Sequence, residues 1–150
     1  MHEKLIRGLK KNGLGRVKAP LVGHPKCAAV LVLLCEEGAD FEILLTKRSQ
    51  LVTHHRGEVA FPGGIWEQRD TDMLETAFRE TKEEIGLPRD YIEPITVLPP
   101  ITPLNGRTHV TPFVGRLIGN PKLTVEASEI DCVFRVPINY FLLAKNYEYF

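Results

Sequence analysis

Three glutamates in one short segment, Glu80, Glu83 and Glu84, are the residues whose type and spacing point most directly to chemistry. If the segment is helical, positions three and four apart are neighbours, so these carboxylates lie within one arc of its surface. Hard oxygen ligands of this kind suit Mg²⁺ or Mn²⁺, ions that usually also bind the phosphates of a substrate. An ordinary solvated acidic face would have the same spacing, so the glutamates alone leave both interpretations open.

A glycine pair upstream favours the cation site. Gly63 and Gly64 let the backbone approach a ligand closely because neither residue carries a Cβ atom. A glycine loop that leads directly into the acidic segment therefore favours a divalent-cation site over a solvated face.

The segment after the loop has the signals of a helix. Asp72 can serve as N-cap, with Glu75 completing a pair that resembles a capping box, and Gly86 stands where the helix should stop. The apolar stripe that faces a core comprises Leu74, Ala77, Phe78, Thr81 and Ile85. Since Glu75 and Arg79 are an opposite-charge pair four residues apart, we expect Arg79 to pair with Glu75. We therefore expect that no basic side chain of the helix neutralises the three glutamates.

The segment from Gly64 to Leu87 resembles the Nudix box, written G-x5-E-x7-R-E-U-x-E-E-x-G-U, where U is a bulky apolar residue. Arg79-Glu80 and Glu83-Glu84 match its core, and Gly86-Leu87 closes it. The interval from Gly64 to Arg79 is one residue longer than usual, and Thr81 stands where an apolar or small residue is expected. The extra residue, together with an aspartate at position 70, resembles the boxes of the coenzyme A diphosphatase subgroup.

The residues before the box resemble the same subgroup. Leu44 to Gly64, LLTKRSQLVTHHRGEVAFPGG, is similar to its signature LLTxRSxxxRxxxGxVxFPGG. Thr53 departs from the signature, which has an arginine there, and Arg56 can supply a cation from the same loop. His54 and His55 are interpreted either as exposed loop residues or as contacts to a phosphate or ribose.

The resemblance implies an α/β fold, a Nudix-type α/β/α sandwich with a mixed β-sheet. We expect one domain over residues 1–150, with residues 1–26 as an N-terminal arm that begins with an amphipathic helix. Strands are predicted near residues 27–34, 41–46, 95–98, 109–117 and 129–136, and a short helix at 138–143. Residues 146–150 are too few for the strand and helix that close the family's fold. We therefore expect the C-terminal helix to be missing, either because the chain is truncated or because its core closes at a subunit interface, as in a homodimer.

The resemblance also assigns the site. The metal ligands are Glu80, Glu83, Glu84 and a backbone carbonyl of Gly63, and the cofactor is Mg²⁺ or Mn²⁺. The substrate-binding residues are Arg48, Ser49, Arg56, Gly63 and Gly64. The catalytic residues are Glu83, Glu84, Arg79 as an orienting group and Glu129 as a general base, with Glu126 and Asp131 as alternatives to Glu129.

The function implied is metal-dependent hydrolysis of the diphosphate of coenzyme A or an acyl derivative, giving 3′,5′-ADP and a 4′-phosphopantetheine species. The alternatives are hydrolysis of ADP-ribose or of a dinucleotide such as NADH, and a non-catalytic nucleotide-binding module on the same scaffold. The small-molecule nucleotide is the expected partner in each case.

Composition excludes several other classes. The chain has 19 basic and 19 acidic residues, so no overall field recruits nucleic acid or an anionic membrane. No apolar run approaches the 18 residues or more of a membrane-spanning helix. The three cysteines are odd in number and lack a metal-binding spacing. Together these features favour a reducing, cytoplasmic location.

Overall fold

The computed structural model describes residues 2–15, 26–104, 106–143 and 145. Within them lie three α-helices, seven β-strands and one 3₁₀ turn. The helices are α1 (His2–Lys10), α2 (Met73–Ile85) and α3 (Ile138–Leu142). The strands are β1 (Lys26–Glu37), β2 (Asp40–Arg48), β3 (Val59–Ala60), β4 (Gly63–Ile65), β5 (Ile92–Val97), β6 (Thr108–Leu117) and β7 (Ile130–Pro137).

The sheet is built around β1, which is a near-continuous apolar run because both of its faces are covered. One edge of β1 pairs in parallel with β6 from Lys26 to Leu34. The other edge is shared: residues Leu33 to Glu37 pair antiparallel with β2, and Ala28 to Val30 pair antiparallel with β4. β7 and β3 extend the sheet from β2, and β5 extends it from β6. The sheet is therefore mixed, as predicted.

Alternate residues of the strands feed two apolar cores. On one face, Ala29, Leu31 and Leu33 pack with residues of α2 such as Ala77 and Phe78. On the opposite face, residues of the sheet such as Leu34 and Phe41 pack with Ile6 of α1 and with residues of α3. Helices thus cover both faces of the sheet, which confirms the predicted α/β/α sandwich.

The predicted elements are present with adjusted ends. The strand predicted from residue 27 to 34 continues to Glu37, because the chain turns only at Gly38 and Ala39 before β2 returns. The N-terminal helix is confirmed and packs on the sheet through Ile6. Most of the predicted N-terminal arm that follows the helix falls on residues 16–25, and the short C-terminal segment falls on residues 146–150; both ranges lie outside the described residues. No helix of the described part is long and apolar enough to cross a membrane.

The helix α2 begins and ends where its signals predict. The Oδ1 atom of Asp72 accepts from the backbone N–H of Glu75 at 2.9 Å, and the N–H of Gly86 donates to the carbonyl of Lys82 at 2.9 Å. The capping box is only half formed, because the Glu75 carboxylate pairs with Arg89 instead. The buried stripe of α2 includes Glu84 beside its apolar residues, which brings an acid to the base of the site.

Candidate active site

A cleft of about 570 Å³ opens where β1 exchanges one antiparallel partner for another. Since β2 pairs only with the later part of β1 and β4 only with the earlier part, the sheet separates between them. The side chains and backbone that line the cleft include Lys26, Ala28, Val30, Thr46, Arg48, His54, His55, Glu58, Phe61, Gly63, Gly64, Ile65, Glu84, Pro103 and Val110. The glycine loop and one of the three predicted glutamates therefore face the same space.

Close packing requires a glycine at position 63 and brings Gly64 against the end of the Glu80 side chain. A Cβ atom on Gly63 would lie 2.2 Å from the carbonyl oxygen of Ala29, and its φ of 153° is one that other residues rarely adopt. A Cβ atom on Gly64 would lie 2.5 Å from the Cδ atom of Glu80. These positions bring the loop backbone directly onto β1 and onto the carboxylate of Glu80.

Glu84 lies at the base of the cleft with only 3% of its surface exposed. The backbone N–H of Gly63 donates to its carboxylate. Burial raises the pKa of Glu84 to about 8, with further contributions from the negative charges of Glu80 and Glu129, against the opposing effects of the Gly63 N–H and of Arg48. A carboxyl group that lies in a cleft and has a strongly raised pKa is characteristic of a functional site.

Glu80 and Glu129 belong to the same cluster. Burial raises the pKa of Glu80, its hydrogen bond with Arg79 lowers it, and the charges of Glu83 and Glu129 raise it again, so that the net shift is upward. Glu129 precedes β7, and its backbone carbonyl accepts from the N–H of Ser49 at 2.8 Å. The structure therefore brings a residue from the end of the chain to the acidic face of α2.

Arg79 is bound to this cluster and to Asp70, so the predicted Glu75–Arg79 pair is wrong. The Nε and one terminal nitrogen of Arg79 donate to the two oxygens of Asp70 at 2.8 and 2.9 Å. The same guanidinium donates to Glu80 at 2.8 Å and to Glu83 at 3.1 Å. The helix thus does contain a base that offsets its glutamates, because Asp70 fixes Arg79 on their side.

Asp70 is itself held from three directions. Its side chain is 3% exposed and also accepts from the Thr76 hydroxyl at 2.9 Å and from the backbone N–H of Glu67 at 3.0 Å. Burial alone would raise the pKa of Asp70, but the hydrogen bonds from Arg79, Glu67 and Thr76 outweigh it and lower the pKa. The aspartate that stands at the early acidic position of the box thereby supplies a rigid, ionised anchor for Arg79.

Glu83 occupies the outer side of the cluster. Its side chain is 43% exposed, and its two oxygens accept from Arg69 and Arg79 at 2.9 and 3.1 Å. Glu84 lines the cleft, Glu80 accepts from Arg79, and Glu83 accepts from both Arg69 and Arg79. The three glutamates of the box therefore differ in environment, which their spacing in the sequence does not reveal.

The donor chemistry of this cluster fits a divalent cation. Its atoms are hard carboxylate oxygens. The pKa of Glu84 is raised first by burial and then by the negative charges of Glu80 and Glu129, which a bound cation would oppose. Among the residues described, no three acidic, histidine or cysteine side chains are already arranged around one point as metal ligands. Glu80 and Glu83 would have to exchange contacts with Arg79 for contacts with the ion.

The predicted substrate-binding residues divide into two groups. Arg48 lines the cleft, and its buried Nε has no hydrogen-bond partner in the described part of the chain. Ser49 is 1% exposed and its Oγ accepts from the N–H of Leu51 at 3.1 Å, which is a contact within the loop. The Nε of Arg56 donates to the carbonyl of Val52 at 2.7 Å, and Arg56 does not line the cleft.

Sequence reasoning gave too little weight to four residues. Lys26 and the two histidines line the cleft. Both histidines are exposed loop residues, as the sequence favoured. Thr76 fixes Asp70, a role that only a contact across the loop reveals. The sequence offered one signal for the histidines: His54 and His55 are adjacent and lie between Arg48 and the glycine loop.

The chain matches the NUDIX domain family over residues 25–148. A protein of Pectobacterium atrosepticum named Uncharacterized Nudix hydrolase NudL is 36% identical over 128 residues, which are 84% of this chain and 65% of that protein. Nudix hydrolase 22, chloroplastic, of Arabidopsis thaliana is 37% identical over 149 residues, which are 96% of this chain and 48% of that protein. The chain thus spans about half to two thirds of the length of these curated relatives.

Solved structures show the same fold at low sequence identity. A binary complex of the C. elegans Ap4A hydrolase superposes with a TM-score of 0.64 at 17% identity, covering 78% of this chain and 83% of that one. The NUDIX domain of Shewanella oneidensis NrtR, complexed with ADP ribose, superposes with a TM-score of 0.60 at 19% identity, covering 83% and 77%.

The Asp70 anchor predicts a stability effect. Asp70→Asn should lower the free energy of unfolding by about 2–4 kcal/mol, because it removes the charge that opposes a largely buried guanidinium. Thr76→Val should cost about 1 kcal/mol through one lost hydrogen bond. Urea denaturation measures both, with Glu75→Gln as a control that breaks an exposed ion pair and should cost at most about 1 kcal/mol. Equal stability of Asp70→Asn and the control would contradict the anchor.

The raised pKa of Glu84 predicts a pH dependence without divalent cations. Between the ordinary pKa of a glutamate, about 4.3, and the folded value of about 8, the folded state binds more protons than the unfolded state. The free energy of unfolding should therefore fall as the pH rises through this range, by up to a few kcal/mol.

Thermal unfolding in a chelator across this range measures the effect. Glu84→Gln should flatten the profile, whereas Glu83→Gln, an exposed glutamate of the same helix, should retain it. An unchanged profile in Glu84→Gln would show that the dependence arises elsewhere.

Proposed function

The chain belongs to the NUDIX domain family, and on this basis we propose that it hydrolyses the diphosphate of a nucleotide joined to another group, with coenzyme A or an acyl derivative as substrate. The observation that carries the proposal is Glu84, a buried carboxyl of raised pKa at the base of a cleft that the glycine loop also lines. A solvated acidic face would not be buried in this way.

Each part of the site supports one requirement of the reaction. Glu80, Glu83, Glu84 and the carbonyl of Gly63 would hold a divalent cation, Mg²⁺ or Mn²⁺. When bound, such an ion polarises phosphate oxygens and lowers the pKa of a bound water. Arg79 would hold Glu80 and Glu83 in place before the ion binds, through the contacts described above. The absence of a side chain at Gly64 lets the backbone of the glycine loop lie directly against the Glu80 carboxylate.

Glu129 is the proposed general base. Its charge contributes to the raised pKa values of Glu80 and Glu84, so it lies close to the acidic cluster without being part of α2. Water attacks one phosphorus of the diphosphate, its proton passes to Glu129, and the bond from that phosphorus to the bridging oxygen breaks. With coenzyme A the products are 3′,5′-ADP and 4′-phosphopantetheine.

The choice of coenzyme A is supported by the signature that precedes the box and by Arg48. The guanidinium of Arg48 lines the cleft with a buried, unsatisfied Nε, and its charge lowers the pKa of Glu84. An arginine in this state is suited to bind phosphate oxygens. ADP-ribose is the second candidate, because the NrtR NUDIX domain with the same fold was solved with that ligand.

Three further expectations accompany this proposal. Residues 1–150 would form a single catalytic domain, the protein would act in the cytoplasm on a small-molecule nucleotide, and it would assemble as a homodimer. Each of these stays a prediction.

A product assay tests the function directly. Coenzyme A, ADP-ribose and NADH are incubated side by side in Mg²⁺ and in Mn²⁺, and we expect 3′,5′-ADP from coenzyme A as the main product. Glu84→Gln should abolish turnover with the fold intact, and Glu83→Gln should do the same if it ligates the ion.

The outcomes of this assay separate the alternatives. Preferred cleavage of ADP-ribose would favour the second candidate. Nucleotide binding without cleavage of any substrate would indicate a non-catalytic module. Turnover near that of the wild type in both glutamine variants would rule out the metal-site assignment.

The role of Glu129 predicts a specific kinetic change. Glu129→Gln should lower kcat by about 10²–10⁴ with little change in apparent metal affinity, because it removes a proton acceptor. Asp131→Asn, an exposed acid at the start of β7, is the matched control and should retain kcat. If higher Mn²⁺ partly restores Glu129→Gln, the residue is a metal ligand instead. A kcat within about threefold of the wild type would remove Glu129 from the site.

A further inference from the structure

Two histidines border the mouth of the cleft, and the proposed mechanism does not use them. His54 and His55, here called the histidine rim, lie in the loop between β2 and β3, and both line the cleft that reaches Glu84. Both histidines are exposed, whereas Glu84 is almost fully buried, so they stand at the open side of the cleft and not at its base. They are therefore candidates for a contact with a part of the substrate other than its diphosphate.

The loop that carries the rim has a defined conformation. The N–H of Arg48 donates to the carbonyl of Glu58 at 2.8 Å, and the N–H of Gly57 donates to the carbonyl of Arg48 at 3.0 Å. The N–H of Glu58 donates to the carbonyl of His55 at 3.3 Å. Hydrogen bonds therefore close the base of the loop and its last turn, which fixes where the histidines stand relative to the cleft.

His55 has an unfavourable backbone conformation. Its φ of 57° is the only positive value of a residue other than glycine in the described chain. Such a conformation carries an energetic cost and occurs preferentially at ligand-binding positions. A glycine at position 55 would adopt this conformation without that cost. The presence of histidine there instead suggests that its side chain has a function.

The side chains of the rim are arranged to donate hydrogen bonds. The Nδ1 atom of His55 lies 3.0 Å from an Oε2 oxygen of Glu58, which orients the ring, and an imidazolium held in this way directs its Nε2–H to another partner. No acidic side chain of the described residues forms an ion pair with His54. Arg56, the cation that the sequence favoured in this loop, is bound to the carbonyl of Val52 instead.

We propose that His54 and His55 bind a phosphate monoester of the substrate, separate from its diphosphate, and so select nucleotides that carry an additional phosphate on the ribose. This inference rests on the proposed function, since it places the diphosphate at the base of the cleft beside Arg48 and Glu84. A dianionic monoester accepts charge-assisted hydrogen bonds, and the imidazolium N–H groups of the rim supply the donors. Coenzyme A carries such a group at the 3′ position, whereas ADP-ribose and NADH do not.

Coenzyme A and dephospho-coenzyme A provide the test, because they differ only in the 3′-phosphate. The variant His54→Ala/His55→Gly removes both rings and keeps the left-handed backbone accessible. Its kcat/KM should fall about tenfold or more for coenzyme A and should stay within about twofold for dephospho-coenzyme A. The single variant His54→Ala, with an intermediate loss on coenzyme A, tests the same point if the double variant folds poorly.

Thr53→Ala is the matched control, since Thr53 is exposed in the same loop and does not line the cleft. It should leave the ratio of the two kcat/KM values unchanged. Equal losses on both substrates in the histidine variants would overturn the inference and assign the rim to the diphosphate or to the fold of the loop.

A binding measurement separates this inference from the proposed function. Calorimetric titration compares adenosine 3′,5′-bisphosphate with AMP on the wild type and on the histidine variants. Tighter binding of the bisphosphate that is lost in the variants supports the rim even if the wild type does not hydrolyse coenzyme A, which would refute the proposed function alone. Equal affinities of the wild type for the two nucleotides would refute the rim whatever the enzyme hydrolyses.

Discussion

The burial of negative charge beside the glycine loop is the constraint on which the rest of the site depends. Glu84 is almost fully buried, and its neighbours Glu80 and Glu129 are also acidic. Such a cluster is costly because desolvation and mutual repulsion both oppose ionisation. It persists because the Gly63 N–H and two arginines offset part of the charge.

Two backbone features make that burial possible. The division of one edge of β1 between β2 and β4 separates the sheet, so that the base of the cleft reaches the face of α2. The glycine loop then crosses so close to β1 and to Glu80 that a side chain at either glycine would overlap them. The cleft is therefore a consequence of strand pairing. The carboxylates at its bottom are there because of the face that α2 turns toward the sheet.

The contact of Asp70 with Arg79 connects the loop to the helix. Arg79 has five donors, and it divides them among Asp70, the carbonyl of Ile65, Glu80 and Glu83. Because Asp70 is in turn fixed by Thr76 and by a backbone N–H, the position of the guanidinium is set before any ligand is present. A bound cation would compete with Arg79 for Glu80 and Glu83. Arg79 would stay anchored to Asp70 while these two glutamates moved their contacts to the ion.

The sequence by itself determined the class of fold, through its family resemblance, and the limits of α2. Caps and apolar spacing are local properties, so Asp72, Gly86 and the buried stripe were predictable from neighbouring residues. The tertiary structure alone decided that Arg79 pairs with Asp70 rather than Glu75, that Glu84 is buried while Glu83 is exposed, and that His55 rather than Arg56 lines the cleft. These outcomes depend on contacts between distant segments and on which face of α2 the sheet covers, and neither is encoded in the spacing of residues along one segment.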